Sequence, residues 1–411
     1  MAKKQTICVV GLGYVGLPLA IRCQERGYET YGFDLDKIKI ALIKKKKNSI
    51  KATSDEKIIK KSDVILICVP TPVDKNYYPD LRPVISATEI IARNLKKGAL
   101  VVLESTVNPG VSEEIVKPIF KKAGFKAGRD YHLAHCPERI NPGDPKWNVA
   151  NIPRVVGALN KFGLALALKF YKSILDASIR PMKSIREAEA VKIMENSFRD
   201  INIAFVNELA KSFSRLKIDV KDVILGAATK PFAFMAHFPS CGVGGHCIPV
   251  DPYYLIERAK KTGFDHKFLR VAREINNSMP TYTVELLREA LNEIRLPMNG
   301  TRIGILGVTY KADVDDVRES PSIKIMELVK KYKARMLVYD PHIPEKSNVK
   351  NLVELLKKSK ALILVTDHKE FIKIKPETLK KYGVKIIIDG KNCLDKNALK
   401  KLGIIYKGIG R

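Results

Sequence analysis

Residues 11 to 16 read GLGYVG, set between an apolar run, ICVV, and a helix-forming stretch. A strand that must turn into a helix within so few residues needs backbone freedom. Gly11 permits the tight turn, Gly13 lets the backbone approach a pyrophosphate, and Gly16 lets helix and strand pack closely. The pyrophosphate would sit at the positive N-terminal end of the helix. Pro18 is tolerated there, in the first helical turn. Asp34 ends the next apolar run, at the distance expected for a carboxylate that binds ribose hydroxyls. An acid there favours NAD, because it repels the extra phosphate of NADP. Lys39 works against that preference, since it could meet a phosphate. A glycine turn with no ligand is the plain alternative. Strand, glycines, helix and acid in this order favour the dinucleotide site.

The apolar runs continue as TYGFDLD, VILICVPTP, ALVVLESTV and YHLAHCPE, with helical stretches such as PVISATEIIARNL between them. Buried strands alternating with helices predict a parallel sheet covered on both faces. From about Ser184 to Leu216 a single long helix is expected. It holds no proline or glycine and is apolar around most of its circumference, as a buried connector or subunit interface would be. Further helices follow to about Arg295. The strand–helix rhythm returns at Thr301 with RIGILGV, RMLVYDP, ALILVTD, VKIIIDG and IIYKGIG, and with SIKIMELVKKY and VKNLVELLKK as helices. The fold class is therefore α/β: two parallel-sheet domains joined by a long helix and a helical middle, with no sequence repeat between them.

At 411 residues the chain is too long for one compact core. No apolar run reaches the length of a membrane span, and the start, MAKKQTICVVGLG, offers no targeting segment. Both point to a cytoplasmic protein without a membrane partner. Seven scattered cysteines fit a reducing compartment. A net charge of +29 raises nucleic-acid binding. The lysines are dispersed and no recognition motif accompanies them, so a solvated basic surface is the preferred reading and no nucleic-acid partner is expected. Such a field would also attract a small anion.

A nicotinamide needs partners at the carboxyl ends of the strands. Three loops offer them: CVPTP with Thr71, ESTVNPG with Thr106, and CPERINPG with Glu138 and Arg139. Ordinary strand-end turns would explain each loop equally well. On the long helix, Lys192, Asn196 and Arg199 are spaced i, i+4, i+7 and share a face. Such a stripe on an apolar helix must meet water, a partner or a ligand. Cys247 stands in CGVGGHCIPVDP, a stretch too rich in glycine and proline for regular structure. It could be packing, a ligand or a nucleophile. Cys241, His246 and Asp251 lack the paired spacing of a zinc site, so no metal is expected. Buried packing is the usual fate of a cysteine. A nucleophile needs exposure at a turn and a cationic neighbour, which Lys192 could supply.

Together, GLGYVG, VPTP, ESTV.PG, PER..PG, EAVKIMENSFR, GGHCIPVDP and YKADVDDVRESP, in this order over nearly the whole chain, resemble the UDP-glucose and UDP-N-acetylhexosamine 6-dehydrogenases. The resemblance implies a Rossmann-like NAD-binding domain (1–185), a helical dimerisation domain (186–295) and a Rossmann-like UDP-sugar-binding domain (296–411), hence a homodimer with its active site between domains. It implies that C6 of a UDP-sugar is oxidised to an aldehyde, held by Cys247 as a thiohemiacetal, oxidised again to a thioester and hydrolysed, with two NAD consumed. Lys192 would stabilise the oxyanion, with Asn196 beside it. Thr106 and Asp251 would handle protons, and Glu138 would assist hydrolysis. NAD contacts are implied at Gly11, Gly13, Tyr14, Val15, Gly16, Asp34, Lys39, Thr71, Thr106 and Arg318. Substrate contacts are implied at Glu138, Arg139, Ile140, Lys192, Asn196 and Arg199, and at Gly244 and Gly245 (as room for the sugar C6), Tyr310 and Lys311.

Within that family, UDP-glucose enzymes often carry a lysine three residues after the cysteine, where this chain has Val250. Arg199 and Tyr310 also look more like the UDP-N-acetylhexosamine branch. PERINPG with the later IPRVVG looks more like UDP-N-acetylglucosamine (UDP-GlcNAc) enzymes than UDP-N-acetylmannosamine (UDP-ManNAc) ones. The alternatives are a UDP-glucose 6-dehydrogenase, a two-electron hydroxy-acid dehydrogenase, and a non-catalytic NAD-sensing protein that binds nucleic acid.

Overall fold

The computed structural model describes residues 5–45, 50–74, 77–140 and 146–411. The chain divides into two compact units, Met1–Glu195 with Tyr253–Asp265, and Asn196–Pro252 with His266–Arg411.

The first unit holds an eight-stranded sheet. Its strands are β1 (Thr6–Val10), β2 (Glu29–Phe33), β3 (Lys51–Thr53), β4 (Val64–Ile67), β5 (Ala99–Leu103), β6 (Tyr131–His135), β7 (Arg154–Ala158) and β8 (Ile179–Pro181). Their order is β3-β2-β1-β4-β5-β6-β7-β8. The apolar runs are continuous because the inner strands are covered on both faces. Ile7 and Val9 of β1 enter one core with Leu19, Phe170 and Tyr171, from helices α1 (Gly16–Glu25) and α5 (Lys161–Ile174). Cys8 and Val10 enter another with Ile91 and Phe120, from α3 (Arg82–Arg93) and α4 (Lys117–Lys122). The remaining helix of this set is α2 (Lys37–Lys45).

One pairing departs from the expected parallel sheet. β6 and β7 run antiparallel, with Ala134 opposite Ala158 and His135 opposite Gly157. β7 opens on a charged residue and Pro153 precedes it, so this stretch does not read as a buried run.

The long helix α6 spans Ile185–Arg215, close to its expected limits. Ile193, Ala204, Val206 and Ala210 are buried, but Met194, Phe198 and Phe205 are exposed. Its first eleven residues belong to the first unit and the rest to the second. After it come α7 (Val220–Ala227), α8 (Asp251–Lys260) and α9 (Lys267–Glu293).

The second unit carries a five-stranded, fully parallel sheet in the order β10-β9-β11-β12-β13. These are β9 (Arg302–Leu306), β10 (Arg335–Tyr339), β11 (Ala361–Leu364), β12 (Ile386–Asp389) and β13 (Ile405–Gly408). Ile303, Ile305 and Ile363 share a core with Met279, Leu287 and Leu291 of α9.

The two sheets share a local device that the sequence hides. Gly11 (φ 93°) follows β1 and donates its N–H to Phe33 O, the last carbonyl of β2. Gly307 (φ 92°) follows β9 and donates to Tyr339 O, the last carbonyl of β10. Each carbonyl is followed by an aspartate, Asp34 or Asp340.

Candidate functional site

The glycine turn is built as its spacing predicts. A Cβ on Gly11 would lie 2.7 Å from Cys68 O, and one on Gly16 only 1.9 Å from Gly11 O. At Gly13 nothing lies within 4 Å, so this is where a ligand can come close. Val15 precedes α1 and makes no side-chain cap, so no side chain covers the positive start of the helix. Tyr14, beside it, is exposed.

Asp34 accepts the Leu12 N–H at 2.8 Å and the Asp36 N–H at 2.9 Å. Lys39 Nζ lies 2.9 Å from its Oδ2. Burial pushes this carboxyl up, but the two N–H groups and the ammonium outweigh it and hold it below the usual carboxylate range. Lys39 is thus committed to the acid, where the sequence left it available to a phosphate. An open glycine, an uncapped helix start and an ionised carboxylate at the end of β2 fit an NAD.

The strand-end loops of this unit are tied to one another. Ser105 Oγ donates to Val69 O at 2.7 Å, linking ESTV to CVPTP. Tyr254 of α8 donates its hydroxyl to Thr71 O at 2.7 Å. Thr71 and Thr106 are both half-buried. Glu138 is buried, with Oε2 3.9 Å from Lys192 Nζ. Its Oε1 has no hydrogen-bond partner among the described residues. Burial raises its pKa, while Lys192 and then Arg154 pull the other way without cancelling the rise. Burial thus favours the protonated form of this carboxyl more than in a free side chain, as suits a group that exchanges a proton. Arg139 is held by the Glu195 carboxylate and by Pro153 O at 2.9 Å. Ile140 is half-buried; the rest of the INPG stretch lies outside the described residues.

In the second unit, the Cys247 carbonyl accepts the N–H groups of Val250 (3.0 Å) and Asp251 (2.8 Å), so the thiol stands at the turn that opens α8. Cys247 is half-buried, whereas Cys8, Cys23, Cys68, Cys136 and Cys241 are buried. The Asn196 amide donates to Asp251 Oδ2 at 2.5 Å, and both residues are shielded from solvent. Arg199 is exposed instead. The sequence missed how far the polar stripe of α6 extends. Glu189, one turn before Lys192, accepts the N–H groups of Gly110 (2.5 Å) and Ser112 (2.9 Å) and so anchors the ESTVNPG loop. Asp200 accepts from Arg273 and Asn276. Continuing the i, i+3, i+4 pattern in both directions would have found both.

The two glycines of GGHC serve the chain itself. A Cβ on Gly244 would lie 2.6 Å from Tyr310 Cβ and 2.8 Å from Glu319 O. One on Gly245 (φ 91°) would lie 2.8 Å from the Tyr310 ring. The Gly245 N–H also donates to Arg318 O at 3.0 Å. On the side where a Cβ would stand, both glycines face the 310–319 segment. Arg318 pairs through its guanidinium with Asp316, and Lys311 is half-buried.

Asp340 occupies the place in this unit that Asp34 has in the first, but it is fully buried. It accepts the N–H groups of Val308 (2.7 Å) and Thr309 (3.0 Å) and lies 3.1 Å from His368 Nε2. Asp313, His342 and His368 put potential metal ligands within 4.8 Å of one another. His368 Nδ1 accepts the Asp313 N–H at 2.9 Å, however, which leaves too few ligands for an ion.

Thr106, Glu138 and Lys192 thus belong to the first unit, and Asn196, Cys247, Asp251, Lys311 and Arg318 to the second.

Residues 5–175 match the NAD binding domain of the UDP-glucose/GDP-mannose dehydrogenase family, 186–278 its central domain and 304–396 its UDP binding domain. The chain is 35% identical over 427 residues to UDP-N-acetyl-D-mannosamine dehydrogenase of Pyrococcus horikoshii, covering 98% of this chain and 99% of that one. It is 34% identical over 418 residues to UDP-N-acetyl-D-glucosamine 6-dehydrogenase of Pseudomonas aeruginosa, covering 96% and 98%. A solved structure of the P. horikoshii UDP-ManNAc dehydrogenase superposes with a TM-score of 0.92 at 34% identity, covering 99% of each chain. Among the described residues, no helix is long and apolar enough to cross a membrane.

Proposed function

Because the chain belongs to the UDP-glucose/GDP-mannose dehydrogenase family and is an NAD-dependent oxidoreductase of UDP-sugars, we propose that it oxidises C6 of a UDP-N-acetylhexosamine by four electrons, to the uronic acid, through Cys247. The observation that carries this reading is the turn at Cys247. Its thiol is half-buried at the opening of α8, and the same unit holds the Asn196–Asp251 pair. Gly13, the open start of α1 and Asp34 would hold the NAD, with Thr71 and Thr106 at the strand ends. NAD, when bound, accepts the hydride that leaves C6, twice for each sugar.

The residues supply the rest. The thiolate of Cys247 adds to the C6 aldehyde, forming a C–S bond and a thiohemiacetal oxyanion. Loss of the second hydride from C6 leaves a thioester. Water adds to its carbonyl, the C–S bond breaks, and carboxylate and thiol are released. Lys192 and Asn196 stabilise the oxyanion, Asp251 and Thr106 manage protons through water, and Glu138 takes the proton of the hydrolytic water. Tyr310, Lys311, Arg139 and Ile140 are proposed as substrate contacts and Arg318 as an NAD contact. The exposed Met194, Phe198 and Phe205 on α6 support a homodimer.

Val250 and the names of the two relatives favour an N-acetylhexosamine over glucose. PERINPG with IPRVVG favours UDP-GlcNAc, whereas the P. horikoshii relative carries the mannosamine name. Turnover of the two epimers side by side assigns the configuration at C2. The test is a panel of UDP-sugars with NAD, read as NADH released per sugar. Two NADH per UDP-N-acetylhexosamine is the expected result, and no acid from either epimer sinks the proposal. Cys247→Ser should bind NAD normally yet form acid at least about a hundredfold more slowly. Acid formation at the wild-type rate would remove Cys247 from the mechanism.

A further inference from the structure

The bulkiest side chain fully shielded from solvent among the described residues is a charged one, Arg154 at the start of β7. Its Nη1 lies 3.1 Å from Glu104 Oε2 and 3.1 Å from Pro137 O. The other Glu104 oxygen accepts the Tyr171 hydroxyl. Glu104 follows β5, and its carbonyl accepts the Glu138 N–H at 3.3 Å. The peptide group between Pro137 and Glu138 is therefore held at both ends. Its carbonyl meets Arg154, and its N–H meets the residue with which Arg154 is paired. Pro137 has no N–H of its own, so that carbonyl is the only backbone hydrogen-bonding group it brings.

An ion pair removed from water is a poor stabiliser; an apolar pair of equal volume often does as well. Arg154 Nε and Nη2 also have no hydrogen-bond partner among the described residues. The arrangement makes better sense as a device for geometry. We propose that Arg154 is a positioning residue, which with Glu104 and Tyr171 fixes the Pro137–Glu138 peptide group and so aims the Glu138 carboxyl at the hydrolytic water. This rests on the reading of Glu138 as the base of thioester hydrolysis.

The test compares Arg154→Lys, Tyr171→Phe and Glu138→Gln with the wild type in the full-length protein. The substrates are NAD and the UDP-N-acetylhexosamine that the wild type oxidises. Lysine keeps the charge but loses the fork that reaches two acceptors at once. Arg154→Lys should lower kcat about tenfold, as a small misplacement does, with both KM values within about twofold of wild type. The first NADH should appear at the normal rate, and quenched samples should accumulate protein with the acyl mass on Cys247. A merely structural role would lower the folded fraction and slow every step alike, without that accumulation, and would overturn the proposal. So would wild-type kcat in Arg154→Lys. If Arg154→Lys does not fold, Tyr171→Phe decides. It loosens Glu104 without touching a charge, and should slow hydrolysis about two- to threefold; a wild-type rate overturns the proposal. Glu138→Gln separates the two claims. Normal acid formation in Glu138→Gln sinks the reading of Glu138 itself. Slow hydrolysis in Glu138→Gln beside normal hydrolysis in Arg154→Lys sinks only the role of Arg154.

Discussion

His135 ends β6 with its side chain fully buried and no hydrogen-bond partner at either ring nitrogen among the described residues. Burial alone holds its pKa down to about 3. The folded chain therefore keeps this imidazole neutral, while the unfolded chain binds a proton below about pH 6.5. Stability from this group is fully present above that pH and is lost as pH falls from about 6.5 toward about 3. The loss is up to about 1.4 kcal/mol for each pH unit. His135→Leu should remove the effect, because leucine fills a similar volume and takes no proton. Urea midpoints measured between pH 7 and pH 4 should fall less steeply in the variant than in the wild type. Parallel curves would mean that His135 titrates in a wetter site than its burial implies. Asp34 shows the opposite balance. Its neighbours outweigh its burial, and it stays ionised where a dinucleotide ribose would need an acceptor.

At the scale of the element, the strands announced themselves because a strand covered on both faces must be apolar throughout, as ICVV and VILI are. The same rule hid β7, whose first residue is the buried Arg154 and which runs antiparallel to β6. The glycines of GLGYVG were legible because their neighbours lie within one strand–turn–helix unit. Those of GGHC were not, because the atoms that fill their space belong to Tyr310 and Glu319, far along the chain. Lys192 and Asn196 could be picked out from their helical spacing. Glu104 could not, since nothing local distinguishes a buried acid from a strand-end one. The Gly245 assignment can be tested directly. Alanine there meets both a left-handed backbone and the Tyr310 ring, and should destabilise the protein by about 1–3 kcal/mol. Tyr310→Ala in that background removes the ring contact and should restore part of the loss, measured as the urea midpoint. If Gly245→Ala leaves stability unchanged and only raises the KM of the UDP-sugar, the glycine serves the ligand after all.

For the whole molecule the charge is the unabsorbed feature. Lysine and arginine number 73 against 44 aspartates and glutamates. Nothing in the proposed chemistry needs more than a few of them. A field of that sign nevertheless acts at a distance. The substrate carries a pyrophosphate and NAD carries another, so both are drawn toward a positive surface before they touch it. Steering of this kind speeds encounter and leaves the bound state alone, and it is screened within about 10 Å at 0.1 M salt. The kinetic signature follows from that division. Between about 20 mM and about 300 mM sodium chloride, kcat/KM for the UDP-sugar should fall about three- to tenfold while kcat stays constant. A solvated basic coat with no part in capture would leave kcat/KM flat. A surface built for nucleic acid would instead retain DNA at low salt, release it steeply as salt rises, and let added DNA compete with the sugar. Measuring kcat/KM along one salt series, with and without duplex DNA, separates the three. A fall in kcat/KM that DNA does not deepen assigns the charge to the capture of small anions.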